Sequence, residues 1–160
     1  MAICIAVNGN VQYGDAVAEL AALTTKHGFT AIAGADFSGL HTFYHEGFPL
    51  GAGRPDEEDL ATIAERSADV ARSLGLEPRV AFASFSTFGY PRSERAEKMH
   101  IAPEVLDRRG VDFEYDGEMT VDVALNATAQ AAYPFSRLTG PANILVVPAR
   151  HSASISVKLM

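Results

Sequence analysis

Short apolar runs alternate along the chain with longer stretches in which apolar residues recur at helical spacing. The apolar runs cover residues 2–7, 30–35, 79–85, 111–115 and 144–147, and each is short enough for one strand. Strands that alternate with amphipathic helices are typical of parallel sheets with crossover connections. The pattern therefore predicts an α/β fold whose strands are buried on both faces.

Capping residues place the first helices between these strands. Asp15 can cap the first helix, which closes at Gly28. Pro55 suits the first turn of the second helix. The acidic run at residues 56–59 favours the positive end of the helix dipole, so we interpret it as a helix start and not as a metal site. The residues that recur on the predicted inner face of this helix are Leu60, Ile63, Ala64, Ser67, Val70, Ala71 and Leu74.

The later helices are less regular. A third helix begins near Ser93, but Pro103 would cost about 3 kcal/mol inside a straight helix, so we predict a kink or break at residues 100–102. Residues 121–132 are predicted as a fourth helix. Residues 152–160 are too few to form a stable helix alone and must dock or fray.

Composition and charge narrow the function classes. The chain has 160 residues, of which 48% are hydrophobic, which suits one domain with its own core. No apolar run approaches about 18 residues, so a membrane-spanning protein is excluded. The net charge of -7 disfavours nucleic acid and anionic lipid, whose phosphates attract a basic surface. Without a secretory signal pattern we expect a cytoplasmic protein whose single cysteine, Cys4, is an inert core thiol.

Two loops are candidate binding sites, because ligands of open α/β sheets lie at the carboxyl ends of the strands. The loops follow the first and third predicted strands, and each leads to a helix N-terminus that favours phosphate. Their candidate phosphate-binding residues are Asn8, Asn10, Tyr13, Ser86, Thr87 and Gly89. The alternatives are a simple glycine-containing turn in the first loop and helix capping in the second.

Other polar residues form no catalytic or metal site by pattern alone. They are Asp116, Glu118, Asp122, Arg137, Arg150, His151, His41 and His45. The carboxylates are predicted to be solvated or capping groups, and the arginines to be surface residues. His41 and His45 lie in a long connection at residues 36–53, without a helical frame or a third ligand for zinc. We therefore predict no catalytic residue and no metal.

The second part of the chain carries a set of short motifs, at residues 83–89, 116–119, 122–125, 134 and 140–143. With these motifs, residues from about 63 to 160 resemble the phosphotransacetylase-type domain of phosphate acetyl/butyryltransferases and of the C-terminal part of large malic enzymes. The resemblance implies acyl transfer between phosphate and a thiol, with Ser86, Thr87 and Gly89 holding a phosphoryl group or coenzyme A. The Ser-Arg and aspartate residues of that family's catalytic site lie beyond the matched region, so we expect no turnover.

The first part of the chain shows other motifs, at residues 13–16, 27–29 and 53–60. With them, residues from about 2 to 60 resemble the flavodoxin-like domain that some anaerobic bacteria carry fused to ferredoxin modules. The resemblance implies FMN as a ligand. Both resemblances imply one three-layer, Rossmann-like domain over residues 1–160, in which segments 1–62 and 63–160 share a five-stranded parallel sheet of order 2-1-3-4-5.

Two resemblances that meet inside one predicted helix indicate recombination. We interpret the chain as a chimeric flavodoxin-like scaffold, made in the laboratory, that has no native catalytic activity and no cofactor. One alternative is a binder of a phosphate-bearing ligand, namely a flavin nucleotide, coenzyme A or an acyl phosphate. Others are a remnant of an acyltransferase domain and a natural protein of a different family. A last alternative is an interaction module that forms homo-oligomers through the surface left by truncation.

Overall fold

The computed structural model describes four segments of the chain, residues 2–8, 16–26, 31–38 and 52–148. By their contacts the residues fall into two units, Met1–Pro55 and Asp56–Met160, which are described separately. The single domain over residues 1–160 stays a prediction. Residues 152–160, which we expect to dock or fray, lie outside the described segments. No helix within those segments is long and apolar enough to cross a membrane.

The first unit contains two parallel strands and one helix. β1 (Ala2–Asn8) pairs with β2 (Ala31–Ser38), and α1 (Ala16–Lys26) packs against both strands. The second strand is longer than the pattern predicted, because Phe37 and Ser38 continue the ladder opposite the end of β1. Parallel pairing with a helical connection agrees with the predicted α/β class.

The second unit is built on a three-stranded parallel sheet with β3 (Arg79–Ala83) at its centre. β4 (Glu114–Met119) pairs with one edge of β3, and β5 (Ile144–Val146) pairs with the other. Side chains of β3 from Val80 to Ala83 are all buried, as expected for a strand that is covered on both faces. The observed order is therefore β4-β3-β5.

This order corrects the predicted 2-1-3-4-5, which puts the last strand beside β4. The chain between β4 and β5 packs on the face of β3 that carries Ala81, where Ala124 and Leu138 cover it. Because the connection crosses over β3, it delivers β5 to the far edge of that strand. The side-by-side placement of the fourth and fifth strands is wrong.

The opposite face of the sheet packs against two long helices, α2 (Glu57–Ser73) and α3 (Glu94–Arg109). Their shared core with the sheet consists of Leu60, Ala61, Ala64, Val80, Phe82, Met99, Ala102, Val105, Leu106 and Val146. Arg109 adds ion pairs to Glu58 and Glu65, so the two helices are also joined at their exposed edge.

The acidic run before α2 is a helix start, as predicted. Asp56 is the N-cap, and its carboxylate accepts the N–H of Asp59 at 2.9 Å. The Asp59 carboxylate in turn accepts the N–H of Asp56 at 3.0 Å, which completes a capping box. Pro55 precedes the cap instead of lying in the first turn. Leu74, predicted inside, is the C-cap residue and is exposed.

The third helix continues through Pro103, so the predicted break at residues 100–102 does not occur. The helix buries Ala102, Val105 and Leu106 around the proline. Burial of a valine or leucine side chain contributes about 1.5–3 kcal/mol each, which offsets the roughly 3 kcal/mol cost of an internal proline.

β4 begins later than residues 111–115, where the apolar pattern placed it. Val111 and Phe113 pack beside the core before the ladder starts. The strand itself includes two buried carboxylates, Asp116 and Glu118, which the pattern treated as a strand end. Their burial is compensated by hydrogen bonds from other parts of the chain, so charged residues are tolerated inside this strand.

The predicted helix at residues 121–132 is two short helices, α4 (Val121–Leu125) and α5 (Ala127–Gln130). Asn126 separates them with an extended backbone, at φ -122 and ψ 113. Its side-chain oxygen accepts the N–H groups of Thr128 and Ala129. One residue therefore ends the first helix and caps the second, because asparagine favours the N-cap position.

Candidate ligand-binding site

The connection after β3 folds into a tight turn. The N–H of Thr87 donates to the carbonyl of Tyr90 at 2.9 Å, and the N–H of Tyr90 donates back at 3.1 Å. Between them Phe88 (φ 48) and Gly89 (φ 85) adopt left-handed backbone, which glycine accepts without steric cost. The N–H of Phe88 donates to the carbonyl of Glu118 at 2.8 Å, so the turn is fixed to the end of β4.

Glu118 is the buried anion beside this turn, with a side chain that is only 1% exposed. Its Oε1 accepts the hydroxyl of Ser86 at 2.7 Å and the N–H of Gly89 at 2.9 Å. Its Oε2 lies 2.7 Å from Nδ1 of His100, which α3 presents from the other side. One carboxylate thus joins the turn, the end of β4 and α3.

The charge of Glu118 follows from two opposing effects. Burial raises its pKa, because a carboxylate loses solvation away from water. The hydrogen bonds from Ser86, Gly89 and His100 outweigh burial and leave the pKa below its ordinary value. Glu118 is therefore ionised at neutral pH, and two of the donors predicted for a ligand phosphate hold this internal carboxylate.

The carboxylate of Glu118 is placed beside the turn by Gly117, which lets β4 approach β3 closely. Its backbone lies so close to β3 that an added Cβ would come within 2.8 Å of the carbonyl oxygen of Phe82. Its φ of 144 is also one that side chains rarely adopt. Glycine is required here because β4 presses against β3 just before Glu118.

A pocket of about 630 Å³ opens beside the turn. Its lining residues are Phe88, Gly89, Pro91, Arg92, Ser93, Glu94, Ala96, Glu97, His100 and Glu118. It therefore combines the turn after β3 with the first turns of α3 and the end of β4. The walls offer an arginine, a histidine and carboxylates, which is enough polar chemistry to orient a small charged ligand.

The predicted residues of the second loop do come together in this region. Gly89 lines the pocket, whereas Ser86 is fully buried behind it. The hydroxyl oxygen of Thr87 accepts the N–H of Thr120 at 3.1 Å, which fixes the loop to the chain after β4. Direct contact of these three residues with a ligand stays a prediction.

The predicted residues of the first loop are placed only in part. Asn8 is the last residue of β1, where its backbone lies opposite Ser38 of β2. The other first-loop candidates, Asn10 and Tyr13, lie outside the described residues, as do His41, His45, Arg150 and His151, which were not predicted to form a site. Within those residues, no group of three or more histidine, cysteine or carboxylate side chains could hold a metal ion.

A second buried carboxylate, Asp116, fixes a different loop. It accepts the hydroxyl of Ser136 at 2.9 Å and the N–H of Arg137 at 2.7 Å. It also accepts the N–H of Gly117 at 2.9 Å. The expectation that Asp116 and Glu118 are solvated or capping groups is therefore wrong, because both are internal acceptors. Asp122 is exposed in the first turn of α4.

Arg137 serves one of the protein's own carboxylates. Its guanidinium forms an ion pair with Asp107 and lies 5.4 Å from the ring centre of Tyr115. The phenol of Tyr115 donates to the same carboxylate. Arg137 is thus part of a side-chain cluster with Asp107 of α3 and Tyr115 of β4, and its role is structural.

Sequence reasoning missed the link between Glu118 and His100. His100 was considered only as the place of a helix break. The available signal was the alternation of Glu114, Asp116 and Glu118 with Tyr115, Gly117 and Met119, which is a strand period. A strand period with acidic residues at alternate positions ordinarily marks a solvated face, so this signal indicates the longer strand and not the burial of its carboxylates.

Comparison with known proteins matches residues 52–160 to the family described as phosphate acetyl/butaryl transferase. The chain is 58% identical over 106 residues to an NADP-dependent malic enzyme of Rhizobium meliloti, covering 66% of this chain and 14% of that protein. It is 37% identical over 106 residues to a phosphate acetyltransferase of Bacillus subtilis, covering 66% and 33%. A phosphotransacetylase structure from Streptococcus pyogenes superposes with a TM-score of 0.60 at 33% identity, covering 66% and 32%. The chain thus spans a third or less of these relatives.

These matches correct the interpretation of the chain as a laboratory chimera without native activity. A 58% identity to a malic enzyme and a family match over residues 52–160 indicate natural descent from an acyltransferase-type family. The match begins at residue 52, so residues 53–60, which we assigned to the flavodoxin-like part, belong to it. The flavodoxin-like resemblance of the preceding residues stays a prediction. The chain belongs to the phosphate acetyl/butaryl transferase family.

Proposed function

We propose that this chain supplies the ligand-binding part of an acyltransferase-type domain, which transfers an acyl group between phosphate and the thiol of coenzyme A. The pocket beside the turn after β3 is the site. The matched relatives named phosphate acetyltransferase support this chemistry, and the family membership of residues 52–160 brings it to this chain.

The observation that carries the proposal is the position of the pocket. It lies at the carboxyl ends of β3 and β4, where α/β sheets bind their ligands. Its volume of about 630 Å³ falls in the range of small-molecule sites. The lining consists of one arginine, one histidine, three carboxylates and apolar surface, so Arg92 is the group that can hold the anionic end of a ligand while the apolar surface contacts its carbon chain.

Arg92 is the residue that we assign to the ligand phosphate. It lines the pocket next to the first turn of α3. Guanidinium groups bind phosphate through charge-assisted hydrogen bonds, and the nearby helix N-terminus adds favourable dipole potential. Gly89 contributes close backbone approach, while Ser86 and Thr87 keep the turn in shape behind it.

Isothermal titration of the chain with coenzyme A and, separately, with acetyl phosphate tests the proposal. We expect binding of at least one ligand and a loss of about tenfold or more in affinity in Arg92→Ala, as removal of a charged hydrogen bond predicts. Arg66→Ala is the matched control, because Arg66 lies in a different surface cleft. Absence of binding of both ligands to the unaltered chain overturns the proposal.

A second candidate function is ligand binding without acyl transfer. The identity of 58% to a malic enzyme, against 37% to a phosphate acetyltransferase, favours it, because the first relative carries a different activity in its name. Loss of the coenzyme A thiol in the presence of acetyl phosphate separates the candidates. Thiol loss supports transfer, whereas binding without thiol loss supports the second candidate.

The same preparation tests the remaining predictions. The flavin nucleotide assigned to Asn8, Asn10 and Tyr13 would give the purified protein a yellow absorbance. A homo-oligomer would give a sedimentation mass above that of one chain. Neither measurement reports on acyl transfer, so either result leaves the acyltransferase proposal standing.

A further inference from the structure

Three aromatic residues, Phe88, Tyr133 and Phe135, form a group of rings beside the pocket, which we call the aromatic group. The ring centre of Phe88 lies 4.9 Å from that of Phe135 and 5.4 Å from that of Tyr133. The ring centres of Tyr133 and Phe135 lie 6.0 Å apart. Each pair is tilted or edge to face, and such arrangements are favourable for aromatic rings. The three residues therefore pack together as one unit.

The core uses only part of this aromatic group. Phe88 and Tyr133 pack against the core cluster on the Ala81 face of β3. Phe135 is 66% exposed, so its ring has surface free for another planar group. Phe88 also lines the pocket, which means that Phe135 lies one ring away from the space in which we place the ligand. Contiguous exposed apolar surface of this kind marks an interaction site.

Both loops that carry these rings are fixed to β4. The N–H of Phe88 donates to the carbonyl of Glu118 at 2.8 Å. On the other loop, the hydroxyl of Ser136 donates to the carboxylate of Asp116 at 2.9 Å. Phe135 directly precedes Ser136, so its backbone is held close to a fixed point. A ring on a fixed backbone loses little conformational entropy when a ligand stacks on it.

The chemistry of the aromatic group favours a planar, uncharged ring. Aromatic side chains stack on nucleic acid bases, because every base presents a flat π-face. Coenzyme A, the thiol ligand of the proposed function, carries an adenine base at the end opposite its thiol, whereas acetyl phosphate carries no ring. A diphosphate group joins the adenosine to the thiol arm, and Arg92 of the pocket is a cation that can hold it. The aromatic group therefore suits the adenine end of coenzyme A.

We propose that the aromatic group binds the adenine ring of coenzyme A, with Phe135 as the residue on which the base stacks. The inference rests on the proposed function and assigns a place to one part of its ligand. The adenine ring lies outside the pocket on Phe135, and the rest of the ligand enters the pocket past Phe88. Asp116 and Glu118 act as positioning residues, because they fix the two loops.

Tryptophan fluorescence tests the contact directly, because the chain has no tryptophan of its own. In Phe135→Trp, an adenine ring stacked on the indole should quench its emission. We expect quenching by coenzyme A and by adenosine diphosphate, but not by pantetheine or acetyl phosphate, which have no adenine. Phe85→Trp is the matched control and should show no quenching, because Phe85 is 56% exposed and lies outside the described lining of the pocket.

Isothermal titration measures how much the ring contributes. In Phe135→Ala we expect the affinity for coenzyme A to fall about tenfold, as loss of base stacking predicts. Phe135→Leu keeps an apolar side chain without a ring and should lose a similar factor. The affinities for acetyl phosphate and pantetheine should stay unchanged in both variants. Phe85→Ala should bind coenzyme A as tightly as the unaltered chain.

The outcomes separate this inference from the function beneath it. Equal affinity for coenzyme A in Phe135→Ala and the unaltered chain overturns the inference and leaves the acyltransferase proposal intact. Binding of acetyl phosphate alone does the same. Quenching of Phe135→Trp by NADP but not by coenzyme A also overturns the inference. So does a sedimentation mass that falls to one chain in Phe135→Ala, with coenzyme A affinity unchanged, because the ring is then a contact between copies. No binding of either ligand overturns both the inference and the proposed function.

Discussion

β4 carries two buried carboxylates, Asp116 and Glu118, which are held by different sets of hydrogen-bond donors. Asp116 accepts two backbone N–H groups and one hydroxyl. Glu118 accepts one backbone N–H, one hydroxyl and an imidazole. The difference lies in the third donor, which is a second backbone N–H for Asp116 and a side-chain imidazole for Glu118.

This difference separates a structural carboxylate from one that is coupled to a pocket. The donors of Asp116 are the N–H of its neighbour Gly117 and two neutral groups of the loop that leads to β5, so this carboxylate only shapes the chain. The histidine bound to Glu118 is half exposed in the pocket. A buried carboxylate reaches a pocket only through a partner that lines it, and for Glu118 that partner is His100.

The largest effect should come from the residue between them, since Gly117→Ala disturbs both carboxylates at once. The added Cβ would meet the carbonyl of Phe82 at 2.8 Å, in a backbone conformation that alanine rarely adopts. We expect a loss of about 3 kcal/mol or more in the free energy of unfolding, measured by urea. Gly140→Ala is the control, because its nearest atom would lie 3.9 Å away. Equal stability of the two variants would show that the close approach of β4 to β3 does not require glycine at position 117.

Amide replacements should then separate the two sites. In Asp116→Asn the new NH₂ group must face the N–H of either Gly117 or Arg137. Two donors then point at each other, because a backbone N–H cannot become an acceptor. We expect a loss of about 2 kcal/mol in urea unfolding, typical of an unsatisfied buried donor. In Glu118→Gln the imidazole nitrogen that faces the new NH₂ group can change from donor to acceptor. The loss in the free energy of unfolding should therefore be smaller, about 1 kcal/mol. A larger loss in Glu118→Gln than in Asp116→Asn contradicts this account of the donors.

Acid should reduce the contribution of Glu118 to the free energy of unfolding over a defined pH range. Its pKa is lowered in the folded protein, so its contribution to stability is present above the ordinary value of 4.5. That contribution is lost as the pH falls through the lowered pKa. The stability gap between the unaltered chain and Glu118→Gln, measured by urea unfolding from neutral to acidic pH, should therefore close below about pH 4.5. A gap that stays constant across the titration would show that Glu118 keeps an unshifted pKa.

The sequence was sufficient for the parts of the fold that depend on local patterns. The helix start at residues 56–59 and the buried run of β3 follow from residue type and spacing alone. The loop containing Ser86 and Gly89 was also found from its position after a strand. These features involve neighbours in the chain, which is why a pattern reveals them.

The features that failed depend on distant partners. The position of β5 is set by a connection that crosses β3, and strand patterns contain no information about crossing. Glu118 is a buried acceptor only because Ser86 and His100 lie beside it, 32 and 18 residues away in the chain. Pro103 is tolerated because the same helix face is buried, which the local cost of proline does not include.

The smallest expected effect concerns the titration of Tyr115, which precedes the structural carboxylate Asp116 in β4. Burial, together with the hydrogen bond to Asp107 and its negative charge, raises the pKa of Tyr115 to about 12. Its contribution to stability is complete below the ordinary value of 10.0 and is lost as the pH rises through about 12. Tyrosinate absorbance should show one late step near pH 12 that is missing in Tyr115→Phe. Tyr90→Phe, which removes the hydroxyl of an exposed tyrosine, should keep that step, and a late step that survives in Tyr115→Phe would assign it to another tyrosine.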